Sequence, residues 1–163
     1  MKTFNLFFTL AILALGITAC DKDKDEVAPT KTDLLTAKTW KIVSLKIDPP
    51  LEIGDTVLSD MFEACMSDNT IKFNVNKTYL SDEGSNNCFP EDPRTETGEW
   101  EFNTAETALI VDDENVVLKQ LTSTSLKIAY ELSLEEAFRS TRITTLEEEI
   151  PSSITVVAEY RAE

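Results

Sequence analysis

Short segments in which apolar and polar residues alternate recur between residues 40 and 161. They span residues 40–47, 70–75, 78–82, 98–103, 107–111, 116–121, 125–132 and 153–161. Alternation with a period of two is typical of strands that bury one face. Successive short strands favour an antiparallel meander, folded as a sandwich or closed into a barrel that has no exposed edges. We predict an all-β, up-and-down, eight-stranded barrel.

Two longer connections interrupt this meander. Residues 48–69 contain a predicted short helix around residues 56–66, which would plug one end of the barrel. In the second connection, residues 133–152, the pattern predicts a helical turn at 134–139 and permits a strand near 142–146. The expected number of strands is therefore eight, with nine or ten as alternatives.

The N-terminal segment has the order of features that marks an export signal. Lys2 is followed by an apolar run over residues 6–15, which is too short to span a bilayer. Ile17, Thr18 and Ala19 then lead to Cys20. This order resembles the lipobox of bacterial lipoproteins, in which the cysteine receives a diacylglycerol and further acylation after cleavage. The alternative is an ordinary cleaved signal followed by an incidental cysteine.

The lipobox resemblance divides the chain into three parts. Residues 1–19 are the signal peptide, residues 20–32 are the lipidated cysteine and an acidic flexible tether, and residues 33–163 are the barrel domain. The tether either is a plain spacer or contains a surface-export signal. We expect a monomer in the cell envelope, attached to the outer membrane through its lipid alone, on either the periplasmic or the surface face.

The composition excludes several classes of function. The formal charge of -15 makes nucleic acid a poor partner, because the domain and a phosphate backbone repel each other. Histidine is absent, so the chain lacks the usual general base and the commonest metal ligand. We find no catalytic constellation, and we expect neither an enzyme nor a cofactor.

Acidic residues crowd one predicted hairpin loop, residues 112–115, in which Asp112, Asp113 and Glu114 are consecutive. Their oxygens are suitable ligands for calcium, but the spacing differs from that of an EF-hand. A solvated turn is the other interpretation, and we expect no metal site.

Two cysteines remain once Cys20 is assigned to lipid. Cys65 and Cys88 form the one candidate intramolecular pair, and an exported protein folds in an oxidising compartment. We predict a structural disulfide that joins the first long loop to the loop after residue 82. A pair of reactive thiols is the alternative, although no basic cluster lies nearby in sequence.

Five motifs follow one another along the domain: Leu34-x5-Trp40-Lys41, CMSDNTIKF from Cys65, TYLSDEG, a second cysteine, and Gly98-x-Trp100. With these motifs the domain resembles the lipocalin-like lipoproteins of Bacteroidota over residues 34 to about 130. The resemblance implies an eight-stranded barrel that holds a small apolar ligand. The chain differs from true lipocalins in lacking a Gly-x-Trp motif on the first strand.

Aromatic residues fall on one predicted face of successive strands and are the candidate ligand-binding residues. They are Trp40, Phe73, Trp100, Phe102, Tyr130 and Tyr160. They would either line a ligand cup or fill the core, since an eight-stranded barrel is just wide enough to be packed by its own side chains. The alternative function is therefore a structural or protein- or glycan-binding module with a filled barrel.

Overall fold

A computed structural model describes residues 28–134 and 151–163. These residues contain helix α1 (Lys31–Thr36), a 3₁₀ helix (Ala64–Asp68) and nine strands. The strands are β1 (Thr39–Ile53), β2 (Thr56–Asp60), β3 (Thr70–Phe73), β4 (Thr78–Asp82), β5 (Thr95–Phe102), β6 (Ala108–Val111), β7 (Glu114–Leu121), β8 (Ser125–Ser133) and β9 (Ser153–Ala162). The export segment with Cys20, most of the predicted turn at 134–139 and the strand near 142–146 lie outside the described residues.

The strands form a closed antiparallel barrel. Consecutive strands from β3 to β9 pair with each other, and β1 pairs with both β3 and β9. The β1–β9 ladder runs from Trp40 opposite Ala162 to Ile47 opposite Val156 and closes the ring. The predicted eight-stranded up-and-down barrel is therefore confirmed, with β2 added outside the ring.

The first long connection differs from the prediction of a helix over residues 56–66. Its first half, Thr56–Asp60, is strand β2, and only Ala64–Asp68 is helical. The reason is a two-residue turn in which Gly54 has a φ of +55° and directs the chain back along β1. Leu58 then lies opposite Leu51, and both pack against the core.

The prolines of this connection lie inside β1. The register between β1 and β2 shifts between Lys46 and Leu51, and Pro49 and Pro50 fall in that irregular stretch. A proline has no N–H to donate, so it is tolerated where the ladder is interrupted. This is how β1 extends to 15 residues, well past the predicted end at residue 47.

Helix α1 covers one end of the barrel. Thr30 and Asp33 form a capping box that starts the helix, with the side chain of each bonded to the backbone N–H of the other. Leu35 is completely buried, and its carbonyl accepts a hydrogen bond of 2.8 Å from Trp40 Nε1. Lys72 Nζ donates to the carbonyl of Thr36 at the C-terminus of the helix, at 2.6 Å.

The predicted strand over residues 70–75 ends early, at Phe73. The backbone N–H of Asn74 bonds to the carbonyl of Thr78 at 2.8 Å, and Lys77 has a φ of +70°. Val75 therefore lies in the turn between β3 and β4 and is 76 % exposed, contrary to its expected place on the inner face. The predicted tight turn at residues 76 and 77 is present.

The predicted loop over residues 112–115 is shorter in the structure. Asp112 and Asp113 both have positive φ, at 47° and 70°, and Val111 lies opposite Glu114. These are the features of a two-residue hairpin turn whose twist matches that of the flanking strands. Glu114 and Asn115 belong to β7. Within the described residues, no helix is long and apolar enough to cross a bilayer.

Candidate functional site

The half of the barrel next to α1 is filled by its own side chains. Trp40, Trp100 and Leu126 are each at most 2 % exposed. Trp100 Nε1 donates to the carbonyls of Asn74 and Thr78, both at 3.1 Å, so the buried indole nitrogen is satisfied. These side chains belong to one hydrophobic core cluster.

The other half contains a cavity of about 540 Å³. Its lining comes from the seven strands β3 to β9, so the cavity lies inside the ring. The apolar part of the lining consists of Ile71, Phe73, Leu109, Val111, Val116 and Ile128. Phe73 and Leu109 also belong to the fully buried core, so they form the floor between the cavity and the filled half. The volume falls in the range of about 300–1,000 Å³ that is typical of small-molecule sites.

Three tyrosines add neutral hydroxyl groups to this apolar wall: Tyr79, Tyr130 and Tyr160. Burial raises the pKa of all three phenols, and the Asp112 carboxylate adds to the effect on Tyr79. They therefore stay protonated at neutral pH. Tyr79 donates to Asp112 Oδ2 at 2.6 Å, whereas the hydroxyls of Tyr130 and Tyr160 have no hydrogen-bond partner among the described residues.

Asp112 is held at the cavity by its neighbours. Its carboxylate accepts a hydrogen bond from Tyr79 and a second one, at 2.8 Å, from the backbone N–H of Glu99. These two bonds lower the pKa of Asp112, so the group is ionised at neutral pH. Gly98 makes the arrangement possible, because a Cβ at this position would overlap the Asp112 carboxylate and the Tyr79 ring.

The remaining polar residues of the lining are Ser81, Glu96 and Glu114. Glu96 precedes the predicted start of its strand at residue 98, because β5 begins three residues earlier, at Thr95. The alternation that places Trp100 inside the barrel also places Glu96 there, four residues earlier on the same strand. Glu114 lies on the same face of β7 as Val116, which follows it by two residues and is buried.

Two loops near these polar residues are tied together. Cys65 in the 3₁₀ helix and Cys88 in the β4–β5 connection form the predicted disulfide, with their Cα atoms 5.3 Å apart. Asp68 Oδ2 accepts hydrogen bonds from the backbone N–H and the hydroxyl of Ser85, at 2.7 and 2.8 Å. These bonds lower the pKa of Asp68 and join the same two segments.

The six aromatic residues expected to bind a ligand are divided between the two halves. Phe73, Tyr130 and Tyr160 line the cavity. Trp40 and Trp100 lie in the filled half, and Phe102 packs edge-on against Trp100 at 5.6 Å. Sequence reasoning missed Tyr79, Ser81, Glu96 and Glu114 as lining residues, although period-two alternation along β4 carries the signal for the first two.

Metal binding has little support in the part of the chain that the structure describes. The group found there consists of three side chains whose possible ligand atoms lie close together: Glu63, Cys65 and Cys88. Both sulfurs are in the disulfide, so neither is available as a thiolate. Asp112, Asp113 and Glu114 do not form such a group, and Asp112 is already occupied by its two donors.

Comparison with known proteins defines the class of this chain. The model of a family described as "Lipocalin-like domain" matches residues 36–128. The chain belongs to this family, whose members are generally non-catalytic binding proteins. No curated protein and no solved structure matches the chain significantly.

Proposed function

We propose that the protein is a lipid-anchored lipoprotein of the cell envelope whose barrel binds a small apolar ligand. The observation that carries the binding proposal is the cavity of about 540 Å³ with its floor of Phe73 and Leu109. Apolar side chains supply the burial energy, which is about 25 cal/mol for each Å² removed from water. The hydroxyls of Tyr130 and Tyr160, which have no partner among the described residues, would orient a polar group of the ligand.

A substitution that fills the cavity tests the binding proposal. Ser81 faces the cavity and is small, so Ser81→Phe is expected to place a ring inside it. Leu80 directly precedes Ser81 on β4, is 41 % exposed and points outward, so Leu80→Phe is the matched control. We expect the neutral dye N-phenyl-1-naphthylamine to bind saturably to the parent protein and to Leu80→Phe, and at least about tenfold more weakly to Ser81→Phe, since a tenfold change corresponds to about 1.4 kcal/mol.

Fluorescence titration of the dye measures this difference, and circular dichroism with thermal unfolding establishes that both variants are folded. Equal affinity in the two variants would place the dye elsewhere on the protein. No saturable binding by the parent protein would favour the alternative function, a structural or interaction module in the envelope.

The anchoring proposal rests on Cys20 and the residues before it. Cys20→Ser is expected to shift the protein from the membrane fraction to the soluble fraction with its signal uncleaved, because serine offers no thiol for the lipid. Thr18→Ser keeps a small residue in the lipobox and should leave the protein attached. Fractionation with a salt and carbonate wash, together with palmitate labelling, measures both variants. Continued membrane association of washed Cys20→Ser would refute the lipid anchor.

The proposed location is the outer membrane, with the domain as a monomer on a tether. An export signal and a disulfide between Cys65 and Cys88 support a compartment outside the cytoplasm. The closed ring supports a monomer, because β1 and β9 pair with each other and the eight strands of the ring have no open edge.

A further inference from the structure

The charge of the cavity has one sign. Its ionisable lining residues, apart from the tyrosines, are Glu96, Asp112 and Glu114. Among the described residues, no lysine or arginine contributes to this lining. The cavity thus combines an apolar floor with three solvent-exposed carboxylates, and its lining contains no cation from the described residues.

Glu83 extends this acidic region beyond Ser81. It follows Ser81 by two positions, and its backbone N–H continues the β4–β5 ladder by bonding to the carbonyl of Arg94 at 2.9 Å. It lies one residue past the end of β4, beyond the residues that line the cavity. Its Oε2 is shielded from solvent and accepts no hydrogen bond from the residues that the structure describes.

Burial, followed by the charges of Asp92 and Glu96, raises the pKa of Glu83, whereas a backbone hydrogen bond from Cys88 lowers it. A cation between these groups would relieve the repulsion.

Nearby cations of the protein are already committed elsewhere. Arg94 Nε pairs with Asp82 Oδ1 at 2.9 Å. Lys77 Nζ lies 4.2 Å from the centre of the Trp100 ring, at the β3–β4 turn. Neither is among the cavity-lining residues, so neither neutralises the carboxylates there.

We propose that the cavity selects ligands that join an apolar body to a cationic head group, with an ammonium as the simplest example. The apolar body packs on Phe73 and Leu109, and the head lies among Glu96, Asp112 and Glu114. This inference rests on the proposed ligand binding and assigns the ligand's charge. Fatty acids, whose head is a carboxylate, are the wrong class for this cavity because their charge and those of the three carboxylates repel each other.

Three probes with the same twelve-carbon chain test the assignment: dodecyltrimethylammonium, dodecanol and dodecanoate, each used below its micelle concentration. Isothermal titration of the purified chain is expected to show the ammonium binding roughly tenfold more tightly than the alcohol, and the carboxylate more weakly than both. The double variant Glu96→Gln/Glu114→Gln should lose the preference for the ammonium. Glu99→Gln/Glu101→Gln removes two exposed carboxylates from the same region, one on each side of Trp100, and should retain it.

The outcomes separate this inference from the function on which it rests. Equal binding of all three probes would leave ligand binding intact and overturn the charge assignment. An equal loss of preference in both double variants would also overturn it, because the effect would then come from the overall acidity of the domain. Absence of saturable binding by every probe would refute the binding proposal itself.

Discussion

Replacing Trp40 with alanine is expected to lower the free energy of unfolding by about 4 kcal/mol, because it removes one of the two buried tryptophans of the filled half. Trp40 is completely buried, and its Nε1 donates to the carbonyl of Leu35 at 2.8 Å. The substitution therefore opens a cavity and also leaves a buried carbonyl without its donor, which adds to the cost. Equilibrium unfolding in guanidinium chloride, followed by circular dichroism, measures the change.

Two further variants separate the causes. Trp40→Phe keeps an aromatic ring but lacks the N–H, so an intermediate loss is expected. Val43 lies on the same strand with 39 % of its surface exposed, and Val43→Ala should change stability by less than about 1 kcal/mol. A loss below about 1 kcal/mol for Trp40→Ala would show that α1 and Trp40 do not seal this end of the barrel.

The barrel could be predicted from the sequence because alternation is a local property. A strand such as β8 (Ser125–Ser133) shows which residues face inward without any knowledge of its neighbours. Short connections then limit the strand order to a meander. We predicted that the sheet closes into a barrel because exposed sheet edges are unfavourable. The pairing of β1 with β9 agrees with that prediction.

The position of the cavity could not be predicted in the same way. Alternation fixes the face of a residue, but its height inside a barrel depends on the register and stagger of all the strands. Trp100 and Tyr130 are both inward residues, yet one lies in the filled half and the other on the cavity wall. The sequence alone therefore does not show which of the six aromatic residues lie in which half, because this depends on how all the strands assemble.

Two elements were missed for a different reason. Helix α1 has six residues, which is too short for a periodic pattern to stand out, although the capping box at Thr30 and Asp33 was a local signal. Strand β2 was hidden by Pro49 and Pro50, which indicated a loop, while the Gly54-Asp55 pair that reverses the chain was the informative feature. In both cases the structure depends on a single turn or cap and not on a long periodic pattern of apolar residues.

Loss of the disulfide is the second change with a large expected effect. Cys65→Ser/Cys88→Ser is expected to lower the free energy of unfolding by about 3.5 kcal/mol, because the bridge closes a loop with a sequence separation of 23 and restricts the unfolded chain. Each single serine variant should lose as much as the pair, and parent protein treated with dithiothreitol should match them. The fold should persist, since the bonds from Ser85 to Asp68 still join the two segments, but hydrogen exchange between residues 83 and 94 should accelerate. Stability that is the same with and without reductant would contradict a stabilising role for the bridge.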